Sequence, residues 1–357
     1  MADEKLGVAI IGCGDIADAY ARDLASYPQI ELIGTSDLIF QRAKDLAARY
    51  GCRAYPSNEA LLADEAVELV VNLTIHHAHA EVVTQCLEAG KHVHSEKPLA
   101  LTYEEARGLV QLAERKGLRL GCSPFTFMGE AQQTAWKQVE GGRLGTVRLA
   151  YAEVNHGRIE SWHPNPGPFY QVGALFDVGV YPLTVLTAMF GPARKVSAYG
   201  RVLHPDRVTK EGIPFHIDTP DFIVSAVELQ NGTLVRLTTN FYVGHHGKQA
   251  GIEFHGDQGS LYLSSWQSFD ARVEFAEFGG RYELVSPLKD PYRGTEWGRA
   301  ALDMAEAIKE GRPHRATGEQ AAHVVEILCA IAESVAAGRP AEVHSSFTPP
   351  AMMDWAE

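Results

Sequence analysis

The feature that most constrains this chain is the alternation that fills its first 122 residues. Short apolar runs at 7–11, 30–36, 67–73, 91–95 and 119–122 are separated by stretches with helical spacing at 16–27, 41–50, 79–89 and 102–116. Apolar runs of that length, bounded by turn signals, read as buried strands, and the stretches between them read as helices. Thr102 and Glu105 form a capping box at the head of the last helix. Repetition of strand and helix in this order builds a doubly wound parallel sheet.

Beyond about residue 145 the pattern changes. Residues 147–154, 222–229, 233–240, 251–255 and 260–263 read as strands. Gln230-Asn231-Gly232 and Gly256-Asp257-Gln258-Gly259 are turn signals between them. One helical stretch, 180–190, interrupts this largely antiparallel set. Two more, 296–310 and 318–337, close the chain, the second with Thr317 and Gln320 as its capping box. A chain of 357 residues exceeds one comfortable core, so two domains are expected, 1–125 and 126–357, both of α/β class.

The first strand runs into Gly12-Cys13-Gly14-Asp15-Ile16-Ala17, a match to G-x-G-x-x-A set between a strand and a helix. Gly12 permits the tight turn, Gly14 lets the backbone approach a pyrophosphate, and Ala17 is small enough for helix–strand packing. Asp15 and Ile16 complete the turn, and the helix that follows offers its unpaired N–H groups to phosphate. The 1–125 domain is therefore expected to be an NAD(P)-binding Rossmann domain. Asp37 follows the second strand, 23 residues after Gly14. A carboxylate there accepts both hydroxyls of the adenosine ribose and repels a 2′-phosphate, which favours NAD over NADP. The competing reading makes Asp37 a cap for the helix near Gln41. Thr74, Ile75 and His76 follow the strand at 67–73 and are expected to line the cofactor, while His79 caps or packs at the start of its helix.

A net charge of −13 argues against nucleic acid and anionic lipid as partners. The uninterrupted apolar runs fall well short of the roughly 20 residues a membrane span needs. The acidic start MADEKLG lacks the basic and apolar regions of a secretory signal, so a cytoplasmic location is expected. Five cysteines, an odd number at wide spacings with no C-x-x-C, read as reduced thiols.

The strand at 91–95 leads into Ser95-Glu96-Lys97-Pro98-Leu99, at the end of the sheet that faces ligand. The longer segment Gly90-Lys91-His92-Val93-His94-Ser95-Glu96-Lys97-Pro98-Leu99-Ala100 resembles the "AGKHVxxEKPxA" signature of the Gfo/Idh/MocA oxidoreductase family. Gly12-Cys13-Gly14, the run from Gly173 to Pro182 with Asp177 and Tyr181, Gly141-Gly142-Arg143-Leu144-Gly145 and Gly256-Asp257-Gln258-Gly259-Ser260-Leu261 are similar to further segments of the same family. The resemblance implies a Rossmann domain followed by a substrate-binding domain on an open, mostly antiparallel sheet. It implies a homodimer or homotetramer formed through that sheet. It also implies hydride transfer between nicotinamide and a sugar, polyol or related carbohydrate. Lys97 matches the catalytic lysine, Glu96 the residue that helps hold the nicotinamide ribose, and Asp177 the aspartate that positions substrate or the catalytic acid/base.

Two positions depart from the common pattern. Tyr181 stands where many members carry histidine, which resembles the glucose–fructose oxidoreductase and dihydrodiol dehydrogenase branches. Thr184 stands where a number of members carry a further aspartate. Asp177 and Tyr181 are four apart, so one helix face would present both, and a tyrosine can exchange the substrate proton beside a lysine.

The Pro-rich run Glu160-Ser161-Trp162-His163-Pro164-Asn165-Pro166-Gly167-Pro168-Phe169-Tyr170 is expected to overlie the substrate. Trp162 and Tyr170 would stack on a sugar ring and His163 would bond a hydroxyl or the cofactor. His163 occupies the place where sugar-binding relatives carry an arginine. Phe125, in the segment Ser123 to Phe127, is a further candidate contact. The histidines at 76, 77, 79 and at 245, 246 lack a metal-ligand pattern, so no metal is expected. Three rival functions remain on the same fold: a non-catalytic NAD sensor, a redox-neutral NAD-dependent glycosidase, and a trans-dihydrodiol dehydrogenase.

Overall fold

The structure is a computed structural model that describes residues 5–244 and 246–357. The chain forms two compact units. The first holds the chain through Phe125 together with Glu296–Ala322, and the second holds Thr126–Thr295 and His323–Glu357. The sequence reading assigned all of 126–357 to one domain, whereas residues 296–322 return to the first unit. The reason is visible in what they cover. Tyr27 donates to Glu296 (2.8 Å), Gly298 N–H donates to Asp23 (3.2 Å), and Thr317 bridges the exposed edge of the sheet at Gly121. The helix Arg299–Glu310 buries Ala300, Ala301, Met304, Ala305 and Ala307.

In the first unit six strands, β1 (Leu6–Ile11), β2 (Ile30–Ser36), β3 (Arg53–Ala54), β4 (Leu69–Asn72), β5 (His92–Ser95) and β6 (Leu120–Cys122), pair in the order β3-β2-β1-β4-β5-β6. Every pairing is parallel. All residues of β1 and β4 are buried, which is why both read as unbroken apolar runs. Helices α1 (Ala17–Ser26), α2 (Phe40–Tyr50), α3 (Asn58–Leu62), α4 (His79–Glu88) and α5 (Tyr103–Lys116) connect them. Glu105 N–H donates to the Thr102 hydroxyl at the head of α5 (3.3 Å). Strand order reverses between β1 and β4, and a crevice opens there at the carboxyl ends of the strands. β3 and α3 are too short to carry a period and were not in the sequence reading.

The second unit opens with α6 (Glu130–Glu140) and β7 (Val147–Asn155). Then come α7 (Gly167–Ala174), a π-helical turn at Leu175–Gly179 and α8 (Val180–Phe190). The strands β8 (Ala193–Arg201), β9 (Asp206–Val208), β10 (Pro214–His216), β11 (Phe222–Leu229), β12 (Leu234–Asn240), β13 (Gly251–Gly256), β14 (Gly259–Leu263), β15 (Val273–Glu277) and β16 (Glu283–Leu284) follow. The chain ends with α9 (Arg299–Glu310), α10 (Gly318–Ala337) and β17 (Ala341–Glu342). Nine strands form one sheet in the order β16-β15-β14-β13-β7-β12-β11-β8-β17, antiparallel except for the parallel pair β7–β12; β9 and β10 form a separate hairpin.

Alternation along these strands buries one face. Ala150, Ala152, Ile223, Val227, Val235, Leu237, Ile252 and Phe254 point inward. The opposite face carries Tyr151, Glu153, Tyr199, Val224, Arg236 and Tyr262. Two helical stretches, Gly167–Phe190 and Gly318–Ala337, have the length and apolar content of a membrane span, although polar residues such as Asp177 and His323 interrupt both. Of their apolar windows 89% and 61% are buried inside the protein, as in core helices.

Candidate functional site

The crevice of the first unit is built from the ends of β1, β2, β4 and β5. Gly12 has φ +96°, and a Cβ there would lie 2.6 Å from the Leu73 carbonyl carbon, so only glycine fits this turn. Gly14 has nothing within 4 Å of where its Cβ would stand, which leaves an open cradle before α1. No side chain caps α1; Ala17 N–H reaches back to the Gly14 carbonyl and Ala19 N–H to that of Ile16, and the positive end of the helix stands at that space. Asp37 accepts Cys13 N–H on one carboxylate oxygen and Ile39 N–H on the other, each at 2.7 Å. Two backbone donors thus hold the carboxylate in place, and each oxygen keeps a lone pair for a hydroxyl. Leu38, next to Asp37 after β2, and Ile75, after β4, are exposed to 101% and 70% and offer apolar surface that suits an adenine. The residues present therefore fit a dinucleotide. The Cys13 thiol is pushed up to about 12 by burial, reinforced by Asp37, so it stays protonated.

The loops after β4 and β5 are tied together from beneath. Asn72 donates to Ser95 Oγ (3.0 Å) and to the His79 carbonyl (3.3 Å), and it accepts from Thr74 (2.7 Å). His79, buried, reaches the Thr74 carbonyl with Nε2 (2.9 Å) and the Pro98 carbonyl with Nδ1 (2.7 Å). Both partners are acceptors, so the neutral ring, lying between the loop that carries Thr74, Ile75 and His76 and the loop that carries Lys97, donates to one of the two carbonyls at a time. The sequence offered no signal for this role, because the partners are backbone carbonyls. Burial lowers the His79 pKa.

Behind Lys97, whose bond to Pro98 is cis, lies a buried relay. Glu96 accepts from Tyr20 OH (2.6 Å) and from Lys97 N–H (3.1 Å). Tyr20 OH lies 3.0 Å from Ser123 Oγ, and Ser123 Oγ lies 3.2 Å from His94 Nε2. The carboxylate fixes the direction of the chain: Tyr20 donates to Glu96, Ser123 donates to Tyr20, and His94 donates from Nε2. His94 Nδ1 then carries no proton and has no partner. Burial lowers the His94 pKa to about 3, which agrees with a neutral ring.

In the second unit Asp177 lies in the π-helical turn and Tyr181 in the first turn of α8; both are buried. Single π turns inside helices recur at functional sites. The Tyr181 ring packs 4.9 Å from that of Trp266, centroid to centroid. The Thr184 hydroxyl donates to the Val180 carbonyl (2.9 Å), so it serves its own helix.

The loop at 156–170 divides into an exposed and a buried part. Trp162 is 46% exposed, with its ring 5.4 Å from His163 and 5.9 Å from His156. His163 accepts Asn165 N–H (3.0 Å). Tyr170, expected to stack on substrate, is instead a core residue at 3% exposure. Its hydroxyl donates to Glu160 (2.5 Å) and accepts from Arg207 (2.7 Å). Arg207, wholly buried, also pairs with Glu160 (2.8 Å) and Asp221 (2.5 Å). Burial, with the bond to Glu160, raises the Tyr170 pKa. Phe125 is likewise corrected: at 1% exposure its ring packs edge-on against His94 and offers no surface to a ligand. His246 lines a pocket with Trp162, and the His245 half of that pair lies outside the described residues.

Comparison with known proteins places these features in a family. Residues 6–123 match the model of an oxidoreductase family with an NAD-binding Rossmann fold, and residues 132–262 match the GFO/IDH/MocA C-terminal domain. The chain is similar to dTDP-3,4-didehydro-2,6-dideoxy-alpha-D-glucose 3-reductase of Streptomyces antibioticus, 32% identical over 63% of this chain and 69% of that one. It is also 32% identical to trans-1,2-dihydrobenzene-1,2-diol dehydrogenase of Mus musculus, over 54% of this chain and 59% of that protein. A crystal structure of an NAD binding oxidoreductase from Klebsiella pneumoniae superposes with a TM-score of 0.85 at 21% identity, over 96% of this chain and all of that one, a likeness of fold.

Proposed function

This chain belongs to the GFO/IDH/MocA oxidoreductase family, and on that premise we propose that it oxidises or reduces a carbinol carbon of a sugar, polyol or related carbohydrate. The observation that carries the reading is the crevice of the first unit. There the Gly12 turn, the doubly anchored Asp37 and the Glu96-Lys97 pair all stand at the carboxyl ends of parallel strands. NAD is the preferred cofactor, since Asp37 welcomes ribose hydroxyls and repels a 2′-phosphate. When bound, the nicotinamide supplies the hydride acceptor or donor.

The chain's own residues do the rest. Gly12, Gly14, Asp15 and Ile16 hold the pyrophosphate, and Thr74, Ile75 and His76 line the dinucleotide. Glu96, held by Tyr20, bonds the nicotinamide ribose. Lys97 donates to the substrate oxygen, Tyr181 takes up or returns the hydroxyl proton, and Asp177 orients Tyr181 and the substrate. The balance for oxidation is one hydride from carbon and one proton from oxygen. Trp162 and His163 contact the carbohydrate. The outward face of the nine-stranded sheet, with Tyr199, Tyr151 and Tyr262, is assigned as the surface that pairs copies into a dimer or tetramer. The cytoplasm is the compartment this reading implies.

Absorbance at 340 nm, read with NAD and with NADP against sugars, polyols, sugar acids and an aromatic trans-diol, tests the reading. Activity with NAD and one carbohydrate is the expected result. Activity on the diol alone would transfer the assignment to the dihydrodiol branch, which the mouse relative favours. Lys97→Met should lower turnover by roughly 10²–10⁴-fold while NAD still binds. Turnover that survives this change removes Lys97 from the mechanism.

A further inference from the structure

The loop that carries Trp162 turns at Gly157 (φ +78°), where the chain passes within van der Waals distance of Gly244. The two loops enclose a cavity of about 460 Å³ whose walls include His156, Arg158, Ser161, Trp162 and Tyr242. Arg158 is exposed, and its guanidinium stacks over the Tyr242 ring at 4.7 Å. Stacking uses the flat face of the guanidinium and leaves its in-plane N–H donors unspent.

No carboxylate lies within ion-pairing distance of Arg158 among the described residues. Glu160, the acid nearest in sequence, is turned inward to Arg207. Lys210 is engaged elsewhere on the same loop: its Nζ donates to the Trp162 main-chain carbonyl at 3.3 Å, and it does not line the cavity. A chain with net charge −13 thus keeps an arginine without an acidic partner in a cavity beside one exposed tryptophan. His156 lines both this cavity and a smaller one of about 240 Å³, whose wall includes Trp266, and Trp266 packs against Tyr181.

We propose that this cavity is the subsite for an anionic group on the carbohydrate, a carboxylate or a phosphate, held by Arg158 while the ring lies on Trp162. The proposal rests on the oxidoreductase reading for its reacting carbon and narrows the substrate class to acidic or phosphorylated sugars. Arg158 supplies a planar fork of donors already held by Tyr242, and such a fork matches the paired oxygens of either anion. A neutral sugar would meet the same tryptophan but leave the arginine unpaired.

The test is a calorimetric titration of the NAD-loaded protein with D-glucuronate, D-glucose 6-phosphate and D-glucose, on the unaltered chain and on Arg158→Gln. Arg158 is exposed and outside the core, so the variant should fold. One of the two anionic sugars should bind at least about tenfold more tightly than glucose, and the better one identifies carboxylate or phosphate. Arg158→Gln should cost roughly 10- to 100-fold in that affinity, as expected for loss of a charged hydrogen bond. Equal binding of glucose, absence of binding by both anions, or an unchanged affinity in Arg158→Gln would each overturn the proposal.

The 340 nm assay separates this from the broader reading. Arg158-dependent binding without hydride transfer on any carbohydrate leaves the subsite standing and sinks the dehydrogenase. Turnover of neutral sugars that Arg158→Gln leaves untouched, with no gain from an anionic group, does the reverse.

Discussion

Two buried polar clusters show how differently the two units use charge. In the first unit Glu96, Tyr20, Ser123 and His94 form a one-way chain of hydrogen bonds that starts from a single carboxylate. Its far end is a neutral histidine, and its near end still faces the crevice through the Glu96-Lys97 turn. In the second unit one guanidinium, that of Arg207, is shared by Glu160, Asp221, Tyr170 and the His204 carbonyl. Its three nitrogens are all engaged, and Tyr170 also covers its face at 4.5 Å. The first cluster keeps acceptor capacity for a ligand. The second is saturated, and it fastens β9, β11 and the loop at 159–170 into one piece. A buried polar group is thus a candidate for function when its network is open at one end, and a fastening when it is closed.

The contrast is sharpest under substitution. Arg207→Met strands two carboxylates in the interior and should destabilise the second unit by about 3–5 kcal/mol, read as a lowered midpoint in urea unfolding. A loss below about 1 kcal/mol would break the description of this cluster as a fastening. NAD affinity in the fraction still folded should not change.

Acid should then weaken the first unit more than the second. Burial lowers His94 to about 3, and lowers His314 in the first unit and His323 in the second to about 4. Each is neutral in the folded chain and takes a proton near pH 6.5 once unfolded. Their contribution is therefore complete above pH 6.5. It is lost as pH falls from there toward 4, by on the order of 1.4 kcal/mol per pH unit for each histidine. Hydrogen exchange between pH 7 and 4.5 should show earlier opening around β5 and β6 than around β8. Simultaneous opening would erase the difference between the units.

The smallest effect belongs to Tyr20→Phe, which removes one donor from Glu96. Stability should fall by about 1 kcal/mol. NAD affinity should weaken several-fold, because the carboxylate assigned to the ribose loses its orientation. If thermal stability falls and NAD binding does not, the first cluster is a fastening too.

Much of the first unit was legible because its strands are buried on both sides, so each appears as an apolar run between helices of regular period. Ile30–Ser36 is bounded as read, and α8 and α10 are too. The second unit hid more. β8 went unread because its inward positions hold Ala193, Val196, Ala198 and Gly200, too small to mark a period. α6 went unread because Glu130, Gln132, Gln133 and Thr134 are all buried in it, so no apolar stripe stands out. The parallel β7–β12 pair joins strands nearly 80 positions apart, beyond the reach of local pattern.

The site shows the same boundary. Gly12, Gly14, Asp37, Glu96 and Lys97 were readable because a motif names them. Tyr170 was misread because its controlling partner, Arg207, lies 37 positions away, and nothing near an aromatic residue in sequence tells an exposed ring from one inside an ion cluster. Phe125 was misread for a similar reason: its partner His94 comes from another strand.

The return of residues 296–322 to the first unit has a consequence for the order in which the protein can be completed. His314 bonds the Leu120 carbonyl across 194 positions of chain, and Ala316 accepts the N–H of Cys122. A ribosome that has just released β6 has therefore made a sheet whose last strand has no cover, and it must synthesise almost all of the second unit before the cover exists. Through that interval the nascent first unit keeps an open edge, and the second unit becomes, in time rather than in space, the insertion for which the first has to wait.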